Sequence, residues 1–181
     1  MKFWIVSASA IVAAIALALS GANEYLFFAG FVVLQAVVLA TGWNILGGYA
    51  GYVNFGVPGF VGVGAYTALA MHLLWSAPLL LQIIAGAVLA GLLGIGVGLL
   101  TLRLRGIFFS ISTIAVVFIL EAIVMNSRFL GGATGIQLTR PNEVLFFDSY
   151  TRMLFVMMAF MVVIALSIAR YVQDSHIGQG L

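Results

Sequence analysis

An all-α, polytopic bundle of about six membrane spans is the architecture to expect from this chain, and three features carry that expectation. From Tyr25 to Leu102, a run of 78 residues, there is no Asp, Glu, Lys or Arg. The surface of a soluble domain needs charge on that scale, and a surface facing lipid does not. Second, 64% of the 181 residues are hydrophobic and 7% are charged, against roughly 25% charged in ordinary soluble domains. Mean hydropathy is +1.24. Third, the apolar runs are continuous and about twenty residues long, the length of a spanning helix. The strands of a membrane barrel would instead alternate apolar and polar residues over about ten positions.

The first span is the run Phe3–Leu19 behind Met1-Lys2. One positive charge, an apolar core and the small residues Ser20-Gly21-Ala22 also suit a signal peptide. Seventeen residues reach about 26 Å, just enough to span. An uncleaved helix is expected, because further spans follow at once. Glu24 and Tyr25 mark a turn before the second span, Leu26–Trp43. Trp43 suits a membrane interface.

Asn44–Phe55 is rich in Gly and Tyr and only mildly apolar, so a broken or re-entrant segment is expected at 44–58. The third span is Gly56–Trp75, closed by Ser76-Ala77-Pro78. The fourth is Leu79–Leu102, and Arg103-Leu104-Arg105-Gly106 makes a tight basic turn. The fifth is Ile107–Met125. A long polar connection, Asn126–Arg152, precedes the sixth span, Met153–Tyr171, and a polar tail runs to Leu181. Phe146, Phe147 and Tyr150 suit the headgroup zone.

Six spans put both termini on one side. Lys2, Arg103, Arg105 and Arg170 then share the inner side. The long outer loop holds Arg128, Arg140 and Arg152, offset by Glu143 and Asp148. The short-loop arginines favour cytoplasmic termini. That parity flips if Asn44–Phe55 crosses the bilayer instead of turning back. The net charge of +2 is too small and scattered to suggest nucleic acid. With no cysteine there is no disulfide framework and no thiolate site.

The densest signal is Gly47–Ala70, with Gly47, Gly48, Gly51, Gly56, Gly59, Gly62 and Gly64 inside 18 positions and Pro58 among them. Two readings stand. In one, small residues let helices approach, as at the pairs Gly47/Gly51 and Gly94/Gly98. In the other, Pro58 removes a backbone donor and the glycines tolerate unwinding, giving a discontinuous helix that lines a pathway. Asn54 either bonds a neighbouring helix or lines a cavity.

Glu121 lies inside the fifth span, where a carboxylate is costly and usually faces the bundle interior. Arg128, seven positions on, shares its face if the helix continues. An ion pair at the interface and a substrate or coupling role both fit. His72 reads as a polar interface residue, since no second ligand stands at a metal-binding spacing. The chain has no H-E-x-x-H, G-x-S-x-G or G-x-x-x-x-G-K-[ST] signature. No catalytic residue, cofactor or metal is expected, and any ATPase would be another chain.

Four landmarks then resemble one family. Gly51-Tyr-Val-Asn54-Phe-Gly56-Val-Pro58-Gly59-Phe60-Val-Gly62-Val-Gly64-Ala65-Tyr66 is similar to the glycine-rich segment of branched-chain amino acid ABC transporter permeases, G-x-x-S-x-G-x-x-A-F-x-G-x-G-A-Y. Leu102-Arg103-Leu104-Arg105-Gly106-Ile-Phe-Phe109 resembles their L-R-L-R-G-x-Y-F turn. Glu121, then Gly131-Gly132-Ala-Thr134-Gly135-Ile136, resembles their carboxylate followed by T-G-G-x-x-G-I. Ser175-His-Ile177-Gly178-Gln-Gly180-Leu181 resembles the start of their cytoplasmic S-x-I-G-x-x-L-x-A-I-R segment, which meets the ATPase. The likeness covers Asn44–Leu181 and is to the M-subunit type. The family continues with further helices, so residues 1–181 look like one transmembrane permease domain truncated at its C-terminus.

What the resemblance implies follows from those matches. The substrate pathway would involve Gly51, Asn54, Gly56, Pro58, Gly59, Phe60, Gly64 and Tyr66, with Glu121 as the polar intramembrane residue. Ser175, Ile177, Gly178 and Leu181 would contact the ATPase. The partners would be membrane lipid, a companion permease, cytosolic ATPase subunits and an extracytoplasmic solute-binding protein facing Asn126–Arg152, all at the plasma (inner) membrane. Transport would work by alternating access.

Asn54 in place of Ser, Pro58-Gly59 in place of a small residue and Ala, and Leu130 in place of Thr widen the solute from branched-chain amino acids to urea and short amides. Two other classes stay open. A proton-coupled secondary transporter would depend on Glu121. A non-transporting scaffold would tolerate bulk at Gly56 and Gly59.

Overall fold

The structure is a computed structural model and describes residues 2–20, 23–101, 103–104, 106–136 and 149–175. Six α-helices follow in order: α1 Lys2–Ala18, α2 Glu24–Asn44, α3 Val57–Trp75, α4 Leu79–Thr101, α5 Ile107–Asn126 and α6 Tyr150–Asp174. No strand occurs among the described residues. Five apolar segments are long enough to cross a bilayer: Glu24–Tyr49, Val57–Trp75, Leu79–Thr101, Ile107–Asn126 and Tyr150–Asp174. With the shorter α1 they make a polytopic bundle of about six spans.

Capping chemistry explains several of the ends. Asn23 starts α2 by accepting the Tyr25 N–H at 3.1 Å. Ser149 does the same for α6 through the Thr151 N–H at 3.3 Å. Each side-chain oxygen satisfies one of the donors that a helix start leaves unpaired. Ser76 closes α3 with φ 45°, and its N–H returns to the His72 carbonyl at 3.0 Å. Several hydroxyls within the spans bond backward along their own helix. Thr41, Thr67, Thr101 and Ser167 each donate to the carbonyl four residues earlier, at 2.6–2.7 Å. Lipid offers no acceptor, so these groups find one at home.

Two spans run further than expected. The second does not stop at Trp43. It continues to Asn44 and then through a π-helical turn, Ile45–Tyr49. Much of the expected break is therefore helical, and the part outside any helix is residues 51–56. Six residues reach at most about 21 Å, too short to form a crossing of their own through a core of about 30 Å. The sixth span starts at Tyr150 and reaches Asp174. Gly21, Ala22, Leu102 and Arg105 lie outside the described residues. So do loop residues Arg140, Pro141, Glu143, Phe146, Phe147 and Asp148, and tail residues Ile177, Gly178, Gly180 and Leu181.

The helices gather into two compact units. In the first, α2 packs along α6, and α1 joins α6. Its core is Ala18, Phe27 and Val156, with Ile15 and Phe155 against them. Phe27, 1% exposed, meets Phe155 edge-on at 5.7 Å between centroids. Charged groups meet at both ends of α6: Arg170 and Asp174 pair at 3.6 Å near its C-terminus, and a denser cluster forms at its start. Arg152 Nε pairs with Glu24 Oε1 at 3.0 Å, Ser149 donates to Glu24 Oε2 at 2.8 Å, and the guanidinium lies 5.2 Å over the Phe27 ring. In the second unit α3 packs along α4, and α5 contacts both. There α3 and α4 approach at Gly64 and Gly86: a Cβ on Gly86 would stand 3.1 Å from the Gly64 carbonyl oxygen.

Candidate functional site

The glycine-rich stretch divides into a turn, a non-helical lead-in and a helix start. Within the π-helical turn, Trp43 and Asn44 fold over Gly47 and Gly48, and a Cβ at either glycine would press on them. Gly51 has φ +70°, a conformation that glycine adopts without steric cost.

Residues 53–56 are then tied to α5. Ser110 Oγ donates to the Val53 carbonyl at 2.8 Å. Thr113 Oγ1 accepts the Phe55 N–H at 3.1 Å and donates to the Ser110 carbonyl at 2.8 Å. Tyr52 stacks edge-on against Phe109 at 5.0 Å. Asn54 Oδ1 accepts the Gly56 N–H at 2.7 Å, a side chain standing in for a backbone turn. Unwound backbone at membrane depth survives only when its polar groups are met this way.

Pro58 does not interrupt a helix. It is the second residue of α3, where its missing N–H would have had no intrahelical partner. It therefore helps to start the helix that one of the two readings made discontinuous. Immediately after it, α3 turns a small-residue face toward α5. Gly59 is buried, and a Cβ there would stand 3.0 Å from Leu120 Cδ1.

Beyond that contact α3 and α5 part around a cavity of about 820 Å³, within the usual range of ligand pockets. Pro58, Gly59, Gly62, Val63, Tyr66 and Thr67 line it from α3. Val117, Leu120, Glu121 and Val124 line it from α5. Leu130, Gly132, Thr134 and Gly135 line the remaining side, from two short 3₁₀ turns, Arg128–Leu130 and Gly132–Thr134. Gly131, Gly132 and Gly135 all have positive φ there.

Of the expected pathway residues, Pro58, Gly59 and Tyr66 meet at this cavity, together with Glu121. Asn54 and Gly56 belong to the lead-in. The Phe60 ring lies 3.5 Å from where a Cβ on Gly56 would be, and 3.7 Å from one on Gly94. Gly64 serves the α3–α4 approach. Gly98, expected to pair helices with Gly94, faces open space.

The proposed shared face of Glu121 and Arg128 does not form. Helix α5 ends at Asn126, Ser127 is extended and Arg128 begins a 3₁₀ turn. Among the described residues no ion pair joins the two. His72 lies 3.5 Å from the Gln82 amide, which donates to the Ala77 carbonyl at 2.7 Å. Ser175, expected at an ATPase contact, caps α6 with its hydroxyl 2.8 Å from the Val172 carbonyl.

Sequence reasoning missed Ser110 and Thr113. Their signal was present: three hydroxyls, Ser110, Ser112 and Thr113, cluster in a largely apolar span, and two of them, at i and i+3, share a helix face and must bond something. It also gave Gly62, Thr67 and Thr134 no place in the site.

Comparison with known proteins agrees with the landmarks. No curated protein and no solved structure was found to match. A family model described as the permease component of a branched-chain amino acid transport system matches residues 25–181. The match takes in five of the six helices and the whole cavity, and the chain belongs to that permease family.

Proposed function

We propose that this chain is a membrane-spanning subunit of an ABC importer that translocates branched-chain amino acids or a related small polar solute. ATP hydrolysis in partner ATPases would drive alternating access. A companion permease and an extracytoplasmic binding protein would complete the assembly, at the inner membrane with both termini of this chain cytoplasmic. Residues 1–181 would form a single permease domain. The ATPases would dock near Ser175, Ile177, Gly178 and Leu181.

One observation carries the reading: the glycine-rich start of α3 opens directly onto the cavity lined by Pro58, Gly59, Gly62, Tyr66 and Glu121. The glycines remove side-chain bulk on the α3 side, leaving room for a solute. The pinned segment 53–56 and Asn54 hold that helix start in place. Gly51, Gly56, Phe60 and Gly64 support its shape and its packing.

The test fills the cavity without disturbing a neighbour. A Cβ on Gly62 meets nothing within 4 Å, and Gly62 lines the cavity. In proteoliposomes holding the assembled transporter, Gly62→Leu should cut leucine uptake about tenfold. That equals ~1.4 kcal/mol, within what overfilling a packed site costs. Gly91→Leu, also in open space but away from the cavity, should leave uptake alone. Full uptake by Gly62→Leu would remove the cavity from the pathway. Uptake that survives ATP depletion and collapses with an uncoupler would support the proton-coupled reading through Glu121 instead.

A further inference from the structure

Residues 52–56 are fastened differently from what flanks them. Before them, the π-helical turn packs on α2 and α6. After them, α3 is wedged against α5 at Gly59, where a Cβ would stand 3.0 Å from Leu120 Cδ1. Between the two no large side chain is fully buried: Val53 is 40% exposed and Phe55 52%. Polar groups tie the segment to α5. The Ser110–Val53 bond is open to solvent and the Thr113–Phe55 bond is only partly buried, so water can take over either. The Thr113 proton is already spent on the Ser110 carbonyl of its own helix and stays satisfied when the segment leaves. The segment also carries its own turn, from Asn54 Oδ1 to the Gly56 N–H. It hangs from Gly51, at φ +70° with open space where a Cβ would be. Burial of apolar area would make such a contact lasting, whereas exchangeable hydrogen bonds make it reversible.

We propose that residues 52–56 form a releasable strap, that Ser110 and Thr113 are the positioning residues that hold it, and that each transport cycle requires it to leave α5. Docked, the strap fixes the start of α3, and with it Pro58 and Gly59 in the cavity wall. Released, it lets that end of the wall move while the glycine contact at Gly59 keeps α3 against α5. Gly51 supplies the pivot, because glycine passes between positive and negative φ without a steric barrier from Cβ. This rests on the reading of the cavity as the solute pathway.

The experiment fastens the strap and then frees it. The chain has no cysteine, so introduced thiols are the only ones in it. In the double variant Tyr52→Cys/Phe109→Cys, whose native rings lie 5.0 Å apart, a bifunctional methanethiosulfonate joins the two thiols. The mass of the chain confirms the bridge, and dithiothreitol removes it. In proteoliposomes holding the assembled transporter, bridging should cut leucine uptake at least about tenfold, and dithiothreitol should restore it. Each single variant under the same treatment should lose less than about twofold. A second readout needs no thiol. Hydrogen exchange across residues 52–56 should differ at least about fivefold between the nucleotide-free complex and the complex trapped with ATP and vanadate. Thr113→Val should erase that difference, and Thr113→Ser should keep it.

Unchanged uptake by the bridged variant would overturn the proposal, as would equal exchange in the two states or an equal loss in either single variant. If leucine uptake is also indifferent to Gly62→Leu, the pathway reading falls with it. If Gly62→Leu blocks uptake while the bridge does not, the strap alone is wrong.

Discussion

In the α1–α2–α6 unit, Glu24 meets Arg152 at 3.0 Å, Ser149 holds its second oxygen, and Phe27 lies under the guanidinium. In the α3–α4–α5 unit, Glu121 faces a cavity with no such partner among the described residues. Among the described residues, the first unit places its ion pairs, Glu24–Arg152 and Arg170–Asp174, at helix ends. The second places a carboxylate within a span and closes its helices through glycine. Both cores are small. The difference lies in where polar groups find partners, and it separates a fastening from a site. Polar groups used up inside the chain hold helices together, whereas one left facing a cavity is available to something else.

The sharpest way to break that contrast is to force the glycine contact apart. In Gly86→Leu the new Cβ would meet the backbone carbonyl of Gly64 at 3.1 Å. Backbone cannot swing aside as a side chain can, so α3 and α4 must separate. The expected loss is about 3 kcal/mol, the upper range for overpacking. It should appear as a large drop in the denaturant midpoint of the purified protein in detergent. Gly91→Leu, five residues along the same helix and open on that side, is the control and should change little.

A smaller effect is expected at the fastening. Arg152→Leu removes the ion pair, the ring contact and a 3.5 Å bond to the Ala18 carbonyl. The arginine side chain is 16% exposed, but that of Glu24 is 50% exposed. Water therefore screens half of the pair, and the loss should be about 1–2 kcal/mol. The double variant with Glu24→Gln should fall by less than the sum of the single changes. Exact additivity in that cycle would mean that the two residues do not interact.

The same contrast governs what could be read from the sequence. Span positions were legible because a charge-free apolar run has one stable outcome in lipid. Their ends were less so. Hydropathy stops at Trp43 and begins again at Met153. The backbone keeps bonding through Ile45–Tyr49 and from Tyr150, because unpaired amides near lipid cost more than a polar side chain at a helix end. The glycine pairs were visible, but spacing does not say which face meets which helix, so Gly64 and Gly86 were not singled out. Glu24 and Arg152 are 128 residues apart, and no local pattern joins them. Glu121 was legible as an anomaly, but its cavity was not, since that depends on how far α3 and α5 diverge beyond Gly59.

The finest test concerns the lead-in to α3, where the second unit does fasten a polar group. Thr113 is 1% exposed and holds the Phe55 N–H at 3.1 Å while donating to the Ser110 carbonyl. Thr113→Val keeps the shape and removes both bonds. The Phe55–Thr113 bond is only partly buried, and the expected loss is about 1 kcal/mol. Global stability should barely move. Hydrogen exchange should instead quicken about fivefold across residues 52–56, and Thr113→Ser should restore the unaltered rate. Equal exchange in the Val variant would mean that Ser110 and Asn54 alone hold the segment. The entrance to α3 would then be fixed by its own turn, without help from α5.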